Sequence, residues 1–210
     1  MGIITVDDVM DVMEQEATED FEKMAAMNPS EKPYLKTGVF QLAKNRIVWL
    51  LILMFSSMVT GEILTTYEEA SAVPLLVTSI PMLMNTGGNS GSQASTMIIR
   101  GMAVGEISPS DLAKVVWKEL RVGILVGICL AIANFVRLTL SYPGQEMICL
   151  TVIFCIVIIA KTIGCTLPII AKVLHMDPAL MASPMISTIL DACSLVIYFN
   201  FACRLLDMAA

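Results

Sequence analysis

A single carboxylate lies in the middle of a long apolar segment of the chain. Asp191 is at the midpoint of residues 179–203, which as a helix would span about 37 Å, more than the roughly 30 Å hydrocarbon core of a bilayer. An ionised carboxylate at that depth costs at least about 2.5 kcal/mol, so it should face water, a cation or a partner group rather than lipid. Two interpretations remain open, a helix-packing aspartate and a transport site, and an intramembrane acid favours transport.

Hydroxyl groups share the helix face of this aspartate. The spacing i, i+4, i+8, i+11 and i+15 defines one stripe, which consists of Ser183, Ser187, Asp191, Ser194 and Tyr198. Pro184 has no N–H group and should leave the carbonyl of Leu180 free beside this stripe. The stripe is a row of oxygen atoms, which indicates a polar path rather than a lipid anchor.

The types of side chain in the sequence restrict which ion such a path would bind. There is one histidine, His175, and the six cysteines lie in apolar runs without CxxC spacing, so an ordinary zinc or copper site is not expected. Oxygen atoms are the ligands that remain. They suit hard cations such as Mg²⁺, Ca²⁺ or Mn²⁺.

The N-terminal segment is a second candidate site for cations. Residues 5–27 have the pattern of an amphipathic helix, with a capping box of Thr5 and Asp8 and an end at Asn28. Eight of the sixteen residues in 7–22 are acidic, which is too polar for a membrane span. This helix is interpreted either as a solvated linker or as a cation-binding element at a pore mouth, with the candidate ligands Glu16, Glu19 and Asp20.

These sites need a membrane-embedded scaffold to position them. Hydrophobic residues make up 56% of the 210 residues and the mean hydropathy is +0.76, values typical of an integral membrane protein. We predict an all-α membrane protein, with an acidic connecting helix and linker in residues 1–37 and a five-helix pore domain in residues 38–210. The predicted spans are about 46–66, 71–99, 112–140, 146–173 and 180–205.

Basic residues predict the side of the membrane on which each loop lies. Eleven of the thirteen Lys and Arg residues belong to one set of loops, if Lys161, which lies inside its span, is counted with them. The other set has only Arg137 and Arg204. By the positive-inside rule we expect a cytoplasmic N-terminus and an outside C-terminus, in a multi-pass protein of the cell inner (plasma) membrane.

The second predicted span is unusual because half of it is polar. Residues 85–96, NTGGNSGSQAST, would not be tolerated by lipid and must be buried against protein or water. Small residues four apart, which let helices approach closely, are Gly87, Gly91 and Ser95. A parallel polar row consists of Asn85, Asn89 and Gln93.

The five spans contain no obvious internal repeat. An inverted-repeat transporter built within one chain is therefore not expected. Two copies of the fifth span around a two-fold axis would instead place both Asp191 carboxylates on one aqueous axis. We infer a path between two identical subunits.

Three stretches of the chain resemble the MgtE family of magnesium channels and transporters. They are EQEATEDFEKMA at 14–25, NTGGNSGSQASTMIIRGMAVGEI at 85–107 and LHMDPALMASPMISTILDACSLVIYF at 174–199. The second and third are specific to the transmembrane domain of this family. Together the three stretches are distributed over almost the whole chain.

The resemblance implies a homodimer with five spans per subunit and an ion pathway along the dimer axis, lined by the second and fifth helices. It implies that Asp191 holds hydrated Mg²⁺, with backbone and side-chain oxygens of Ser187 and Ser183 around it. Asp177 matches a family acid near the cytoplasmic mouth. The acids of the connecting, or plug, helix that would bind Mg²⁺ and favour closure are Glu16, Glu19 and Asp20.

The expected function is a magnesium-selective channel that carries hydrated Mg²⁺ into the cytosol. Moving a charge of +2 across 100 mV is worth about 4.6 kcal/mol, so inward flow needs no second substrate. High cytosolic Mg²⁺ would neutralise the acids of the plug helix and let it pack over the mouth. Mg²⁺ is thus expected as both the transported and the regulatory ion. The expected partners are a second copy of the chain and membrane lipid, and not nucleic acid.

Two features depart from the family pattern. Family members often carry Asn at the position of Ser183 and Gly at the position of Ser194, and either change would bear on pore width or selectivity. They also carry a cytoplasmic N-domain and paired CBS modules before the connecting helix, which this sequence does not include. A truncated or short natural form with weaker closure is therefore expected.

Three alternative functions remain open. The first is a transporter whose main substrate is Mn²⁺ or Co²⁺, because oxygen ligands alone discriminate poorly between these ions and Mg²⁺. Residues 88–91 match the GxSG pattern of rhomboid proteases, but a nucleophilic Ser90 needs a histidine base at membrane depth, and His175 lies in a loop. The third alternative is a non-conducting scaffold. We expect that the protein is not an enzyme.

Overall fold

The computed structural model describes residues 4–30, 34–67, 74–141 and 146–206. Within these residues the chain forms six α-helices with short 3-10 turns between them and no β-strand, as the all-α prediction requires. The helices are α1 (Val6–Met24), α2 (Val39–Thr66), α3 (Pro74–Ala103), α4 (Leu112–Ser141), α5 (Glu146–Val173) and α6 (Ser183–Leu206).

Four helical segments of the described chain are long and apolar enough to cross a membrane. They are Val39–Thr66, Pro109–Leu140, Val152–Val173 and Pro178–Arg204. Helix α3 is not among them, although its 30 residues exceed the length that a span needs, because its second half is polar. Crossing of the membrane by a fifth helix therefore stays a prediction.

Helices α3 and α6 run antiparallel along each other. Near the start of α3, the carbonyl of Leu76 accepts a hydrogen bond of 3.1 Å from Tyr198 Oη, in the second half of α6. Further along α3, Ser95 Oγ donates a hydrogen bond of 2.8 Å to the carbonyl of Met181, just before α6 begins. Tyr198 is thus a packing residue.

Helices α4 and α5 also pack antiparallel, through glycines of α4. A Cβ atom added at Gly123 would lie 3.5 Å from Ile158 Cα, and one added at Gly127 would lie 2.9 Å from a ring atom of Phe154. Because Gly127 has no side chain, the ring of Phe154 can pack closely on α4, whereas a Cβ atom at Gly123 would make an ordinary van der Waals contact. Helices α3 and α5 run in the same direction, since Gly87 lies beside Ile156 and Gly91 beside Ala160.

Among the described residues, apolar clusters fill the space between these helices. One joins α3, α5 and α6 and includes Leu76, Leu83, Ile156, Leu195, Tyr198 and Phe199. Another joins α3, α4 and α5 and consists of Ala94, Ile98, Val115, Cys165 and Ile169. In contrast, α2 has no buried residue and contacts mainly α6, where Tyr67 stacks on Phe199 with a ring distance of 5.1 Å.

Helix α1 begins as the sequence predicts and ends earlier. Thr5 Oγ1 accepts a hydrogen bond from the Asp8 amide and the Asp8 carboxylate accepts one from the Thr5 amide, so the predicted capping box is confirmed. The helix stops at Met24 because Ala26 adopts a left-handed conformation with φ of 54°. The Asn28 amide then donates to the carbonyl of Asn45 in α2, which ties the linker to that helix.

The fifth predicted span is interrupted near its start. Residues Pro178–Met181 form a 3-10 turn, Ala182 is extended, and α6 begins only at Ser183. The prediction that Pro184 lies inside a continuous helix is therefore wrong. Pro184 lies in the first turn of α6, where no intrahelical partner exists for the missing N–H group and its fixed φ fits the helix.

Candidate functional site

Asp191 lies in the interior of α6, well away from both helix ends. Its side chain is half-buried, and it makes no hydrogen bond or ion pair with any residue that the structure describes. Ser187, one turn earlier, is also half-buried, whereas Ser194, almost one turn later, is buried. Ser183 is the first residue of α6. The carboxylate is therefore available to a ligand or partner from outside these residues.

The glycines of α3 pack against the helix face that carries Asp191. A Cβ atom added at Gly88 would lie 3.2 Å from Ser187 Oγ, and one added at Gly87 would lie 2.7 Å from Ser194 Oγ. Because the two serines are on either side of Asp191 along α6, the carboxylate lies next to the crossing of α3 and α6. The polar half of α3 and the acid of α6 thus belong to one region.

Three helices meet at Gly91. A Cβ atom added there would contact Leu190 of α6 and would lie 3.1 Å from the carbonyl oxygen of Ala160 in α5. Gly164 of α5 faces the backbone of Gly91 directly. Gly87, Gly91 and Ser95 are all buried, so the predicted small-residue face of α3 is confirmed.

Replacing Gly164 by alanine is expected to destabilise the protein by about 1–3 kcal/mol, because overpacking forces backbone shifts. The added Cβ atom would contact the Gly91 carbonyl oxygen and lie 2.8 Å from Gly91 Cα, and backbone atoms cannot rotate away. Gly61→Ala is the matched control, since nothing lies within 4 Å of a Cβ atom at this position of α2. Thermal denaturation in detergent should show a lower Tm than wild type for Gly164→Ala but not for Gly61→Ala. Equal Tm changes in both variants would contradict the close crossing.

The opposite face of α3 is polar and uncovered. Its residues Asn85, Asn89 and Gln93 are exposed, and Asn89 Nδ2 donates a hydrogen bond of 3.0 Å to Asn85 Oδ1. Side chains of this kind at membrane depth require protein or water as neighbours, because lipid offers no hydrogen bonds. If α3 lies in the membrane, this polar face therefore needs a protein partner or an aqueous space.

A lysine joins α1 to the turn before α6. Lys23 Nζ lies 2.6 Å from a carboxylate oxygen of Glu19 on the same helix and 2.6 Å from Asp177 Oδ2. The other carboxylate oxygen of Asp177 accepts a hydrogen bond of 2.9 Å from the Ala179 amide. Glu16 is exposed and Asp20 half-buried. Nowhere in the described chain do three His, Cys, Asp or Glu side chains come together as a set that could hold a metal ion.

These contacts shift the pKa of both charged partners. Burial by itself would raise the pKa of Asp177, but the hydrogen bonds from Lys23 and the Ala179 amide, together with nearby positive charge, lower it below its ordinary value of 3.8. The hydrogen bonds with Asp177 and then Glu19 raise the pKa of Lys23 above its ordinary value of 10.5. Both groups are therefore charged throughout the neutral range.

We expect the docking of α1 to be independent of pH between about 5 and 9. The stabilisation from Asp177 is present above its unfolded pKa and is lost as the pH falls through its lowered folded pKa. The stabilisation from Lys23 is present below 10.5 and is lost as the pH rises through its raised folded pKa. Hydrogen-exchange protection factors of the α1 amides should be constant over this range. A decrease centred near pH 6 or 7 would contradict this ion pair.

Lys161 is not a loop residue, contrary to its place in the loop count. It lies near the middle of α5, it is 5% exposed, and its Nζ is 3.6 Å from Glu119 Oε2 of α4. A lysine that packs inside the bundle tells nothing about which loops face the cytosol. The remaining basic residues still favour one side, but Lys161 does not support that assignment.

Comparison with known proteins assigns the chain to a family. A family model described as "MgtE: Divalent cation transporter" matches residues 80–201. The chain belongs to the MgtE family. This match contains the polar half of α3, the Gly91 crossing and Asp191, so the family assignment rests on the same region as the candidate site.

Individual MgtE relatives align with almost the whole chain. A protein named "Magnesium transporter MgtE" from Thermus thermophilus is 38% identical and covers 99% of this chain, which is 46% of that relative. Proteins of the same name from Bacillus subtilis and Enterococcus faecalis are 33% and 28% identical, and each covers 96% of this chain. The chain spans about half the length of the curated relatives it matches.

The protease alternative has no support in this MgtE chain. Ser90 Oγ is buried and has no hydrogen-bond partner among the described residues, and His175 is exposed in the connection between α5 and α6. A serine nucleophile without a base in reach is not activated. The transporter names of the relatives agree with the expectation that the protein is not an enzyme.

Sequence reasoning missed the role of Lys23. The sequence does indicate the ion pair between Glu19 and Lys23, because residues four positions apart share a helix face. The sequence does not indicate the ion pair between Lys23 and Asp177, since these residues are 154 positions apart. The same holds for Glu119 and Lys161, which lie on different helices.

Proposed function

We propose that this MgtE chain forms a magnesium-selective path across the membrane, with Asp191 as the side chain that attracts the ion. The observation that carries the proposal is a half-buried carboxylate in the interior of an apolar helix, without a positive partner among the described residues. A buried charge without a protein partner is costly. A divalent cation is the partner that the family description favours.

The path is proposed to lie between two copies of the chain. The exposed row of Asn85, Asn89 and Gln93 on α3 supports this arrangement, because such a face is unfavourable in lipid. A second subunit related by a two-fold axis would cover this face and bring a second Asp191 to the same axis. Two carboxylates would then match the double charge of one Mg²⁺ ion.

The ion is proposed to keep most of its water shell. Mg²⁺ dehydrates reluctantly and usually retains several waters in protein sites. Asp191 together with oxygen atoms of Ser187 and Ser183 would contact these waters rather than the metal. Binding through water is weak enough to allow release, which conduction requires.

Five membrane crossings and a cytoplasmic N-terminus complete the proposal. The directions of α3, α4, α5 and α6 alternate, and α1 packs at the same end of the bundle as Lys114, Lys118 and Lys172. Positive charge at that end favours the cytosol. The membrane potential would then drive Mg²⁺ inward.

Helix α1 is proposed to act as a plug at the cytoplasmic end. Glu16, Glu19 and Asp20 would bind cytosolic Mg²⁺ together with Asp177, and the neutralised helix would pack over the mouth. The contact between Lys23 and Asp177 supports this position of α1. Lys23 compensates Glu19 and Asp177 and so would keep α1 beside the turn before α6, while Mg²⁺ would neutralise the remaining acids and complete closure.

Reconstitution into liposomes tests the proposed substrate. The purified chain should carry Mg²⁺ inward under an inside-negative potential, detected with an entrapped Mg²⁺-sensitive dye. Competition with Mn²⁺, Co²⁺ and Ca²⁺ identifies the preferred ion. If Mn²⁺ or Co²⁺ flows faster than Mg²⁺, that ion and not Mg²⁺ is the main substrate. No flux of any divalent cation from a folded dimer would favour the scaffold.

A further inference from the structure

A second pair of charges is buried inside the bundle, on the side of α5 that faces α4. Lys161 Nζ lies 3.6 Å from Glu119 Oε2, and the side chains are 6% and 16% exposed. Glu119 Oε2 accepts no hydrogen bond from the described residues, so the charge of Lys161 is its compensation.

The local packing of α4 brings the two charges together. Glu119 and Gly123 are one turn apart on α4, and a Cβ atom at Gly123 would lie 3.6 Å from Lys161 Cδ. The apolar stem of the lysine therefore lies against the glycine, and its ammonium group reaches back to the glutamate.

The pair is next to the wall of the proposed path. Ala160, the residue before Lys161, presents its carbonyl oxygen to Gly91 of α3, and Gly164 packs on the same glycine. Leu190, the neighbour of Asp191, contacts the same glycine. One face of α5 thus supports α3 beside Asp191, while the face with Lys161 is held by α4.

We propose that Glu119 and Lys161 are a positioning pair for ion passage. Each cancels the charge of the other, and together they hold α5 against α4 so that the Gly91 crossing beside Asp191 keeps its geometry. This inference rests on the proposed transport function. Neither residue binds the transported ion, because the pair has no net charge and lies on the far face of α5.

The test compares single and double neutral variants of the full chain in liposomes. Removing one member leaves a buried unpaired charge, whereas removing both leaves a neutral contact. We expect Glu119→Gln and Lys161→Met each to lower the maximal Mg²⁺ flux per folded protein about tenfold or more, with the apparent KM within about twofold of wild type. The double variant should recover flux to within about threefold of wild type.

Matched controls are Glu106→Gln, in the connection between α3 and α4, and Lys118→Met, next to Glu119, which each remove an exposed charge. Both should conduct as wild type does. A raised KM in Glu119→Gln and in the double variant would overturn the inference and make Glu119 an ion ligand. Single variants with a lower Tm but unchanged flux and unchanged selectivity of Mg²⁺ over Na⁺ per folded protein would overturn it as well, since the pair would only stabilise the fold.

Further outcomes separate a failure of this inference from a failure of the proposed function. If the single variants do not fold, the double variant must both fold and conduct, and a folded double variant without flux would overturn the inference. If the wild type carries no Mg²⁺, the proposed function fails. Normal wild-type flux together with normal flux in both single variants would overturn the positioning pair alone.

Discussion

Asp191→Asn is expected to abolish Mg²⁺ flux, with a loss of about 100-fold or more, because it removes the charge that attracts a divalent ion at low dielectric. The substitution preserves the size of the side chain. It should not disturb folding, since Asp191 makes no hydrogen bond or ion pair among the described residues. Liposome flux measures the loss, and size-exclusion chromatography in detergent confirms that the assembly is intact.

The matched control for this prediction is Glu106→Gln, which neutralises an exposed acid in the connection between α3 and α4. It should leave flux unchanged. Retention of most of the Mg²⁺ flux by Asp191→Asn would refute the role of this carboxylate. Loss of the dimer together with the flux would instead identify a helix-packing aspartate, the alternative that the sequence left open.

Lys23→Gln is expected to release α1 from the bundle when no divalent cation is present. Without the ammonium group, the carboxylates of Glu19 and Asp177 face each other without compensation. An isolated acidic helix of 19 residues is only marginally stable in water. Hydrogen exchange of the α1 amides should therefore be about tenfold faster or more than in wild type, measured in chelator.

Added Mg²⁺ should reverse this effect. Millimolar Mg²⁺ would bridge the two carboxylates that Lys23 bridges in the wild type, so protection of α1 in Lys23→Gln should return. Lys23→Arg should behave as wild type, and Lys36→Gln controls for the loss of an exposed positive charge. Equal exchange of wild type and Lys23→Gln in chelator would show that the lysine does not hold α1 in place.

Local sequence features predicted most helices and the small-residue face of α3. The boundaries of α5 agree at both ends with the predicted span 146–173, and the Pro-Gly pair at residues 143–144 marks the start of the apolar run in the sequence. The capping box of Thr5 and Asp8 depends on residues three apart, so it is visible in the sequence. The small-residue face of Gly87 and Gly91 is also visible in the sequence, because residues four positions apart lie on one face of a helix.

The boundaries that failed depend on backbone details that hydropathy does not encode. Hydropathy extends the fifth span back to residue 180, but the chain breaks at Ala182 and places Pro184 in the first turn of α6. The carbonyl of Met181 at this break accepts its hydrogen bond from Ser95 of another helix. Such a partner satisfies the interrupted backbone and depends on the packing of α3 against α6.

The sequence by itself determined an all-helical membrane protein, its acidic first helix and an acid in the interior of its last apolar segment. These follow from composition and from spacing within single helices. Only the tertiary structure decided which charges are compensated: Lys23 by Glu19 and Asp177, Lys161 by Glu119, and Asp191 by none of the described residues. The physical reason is that an ion pair between two helices depends on how the helices pack and in which direction they run. Residues far apart in the chain share no periodic sequence pattern from which such a pair could be predicted.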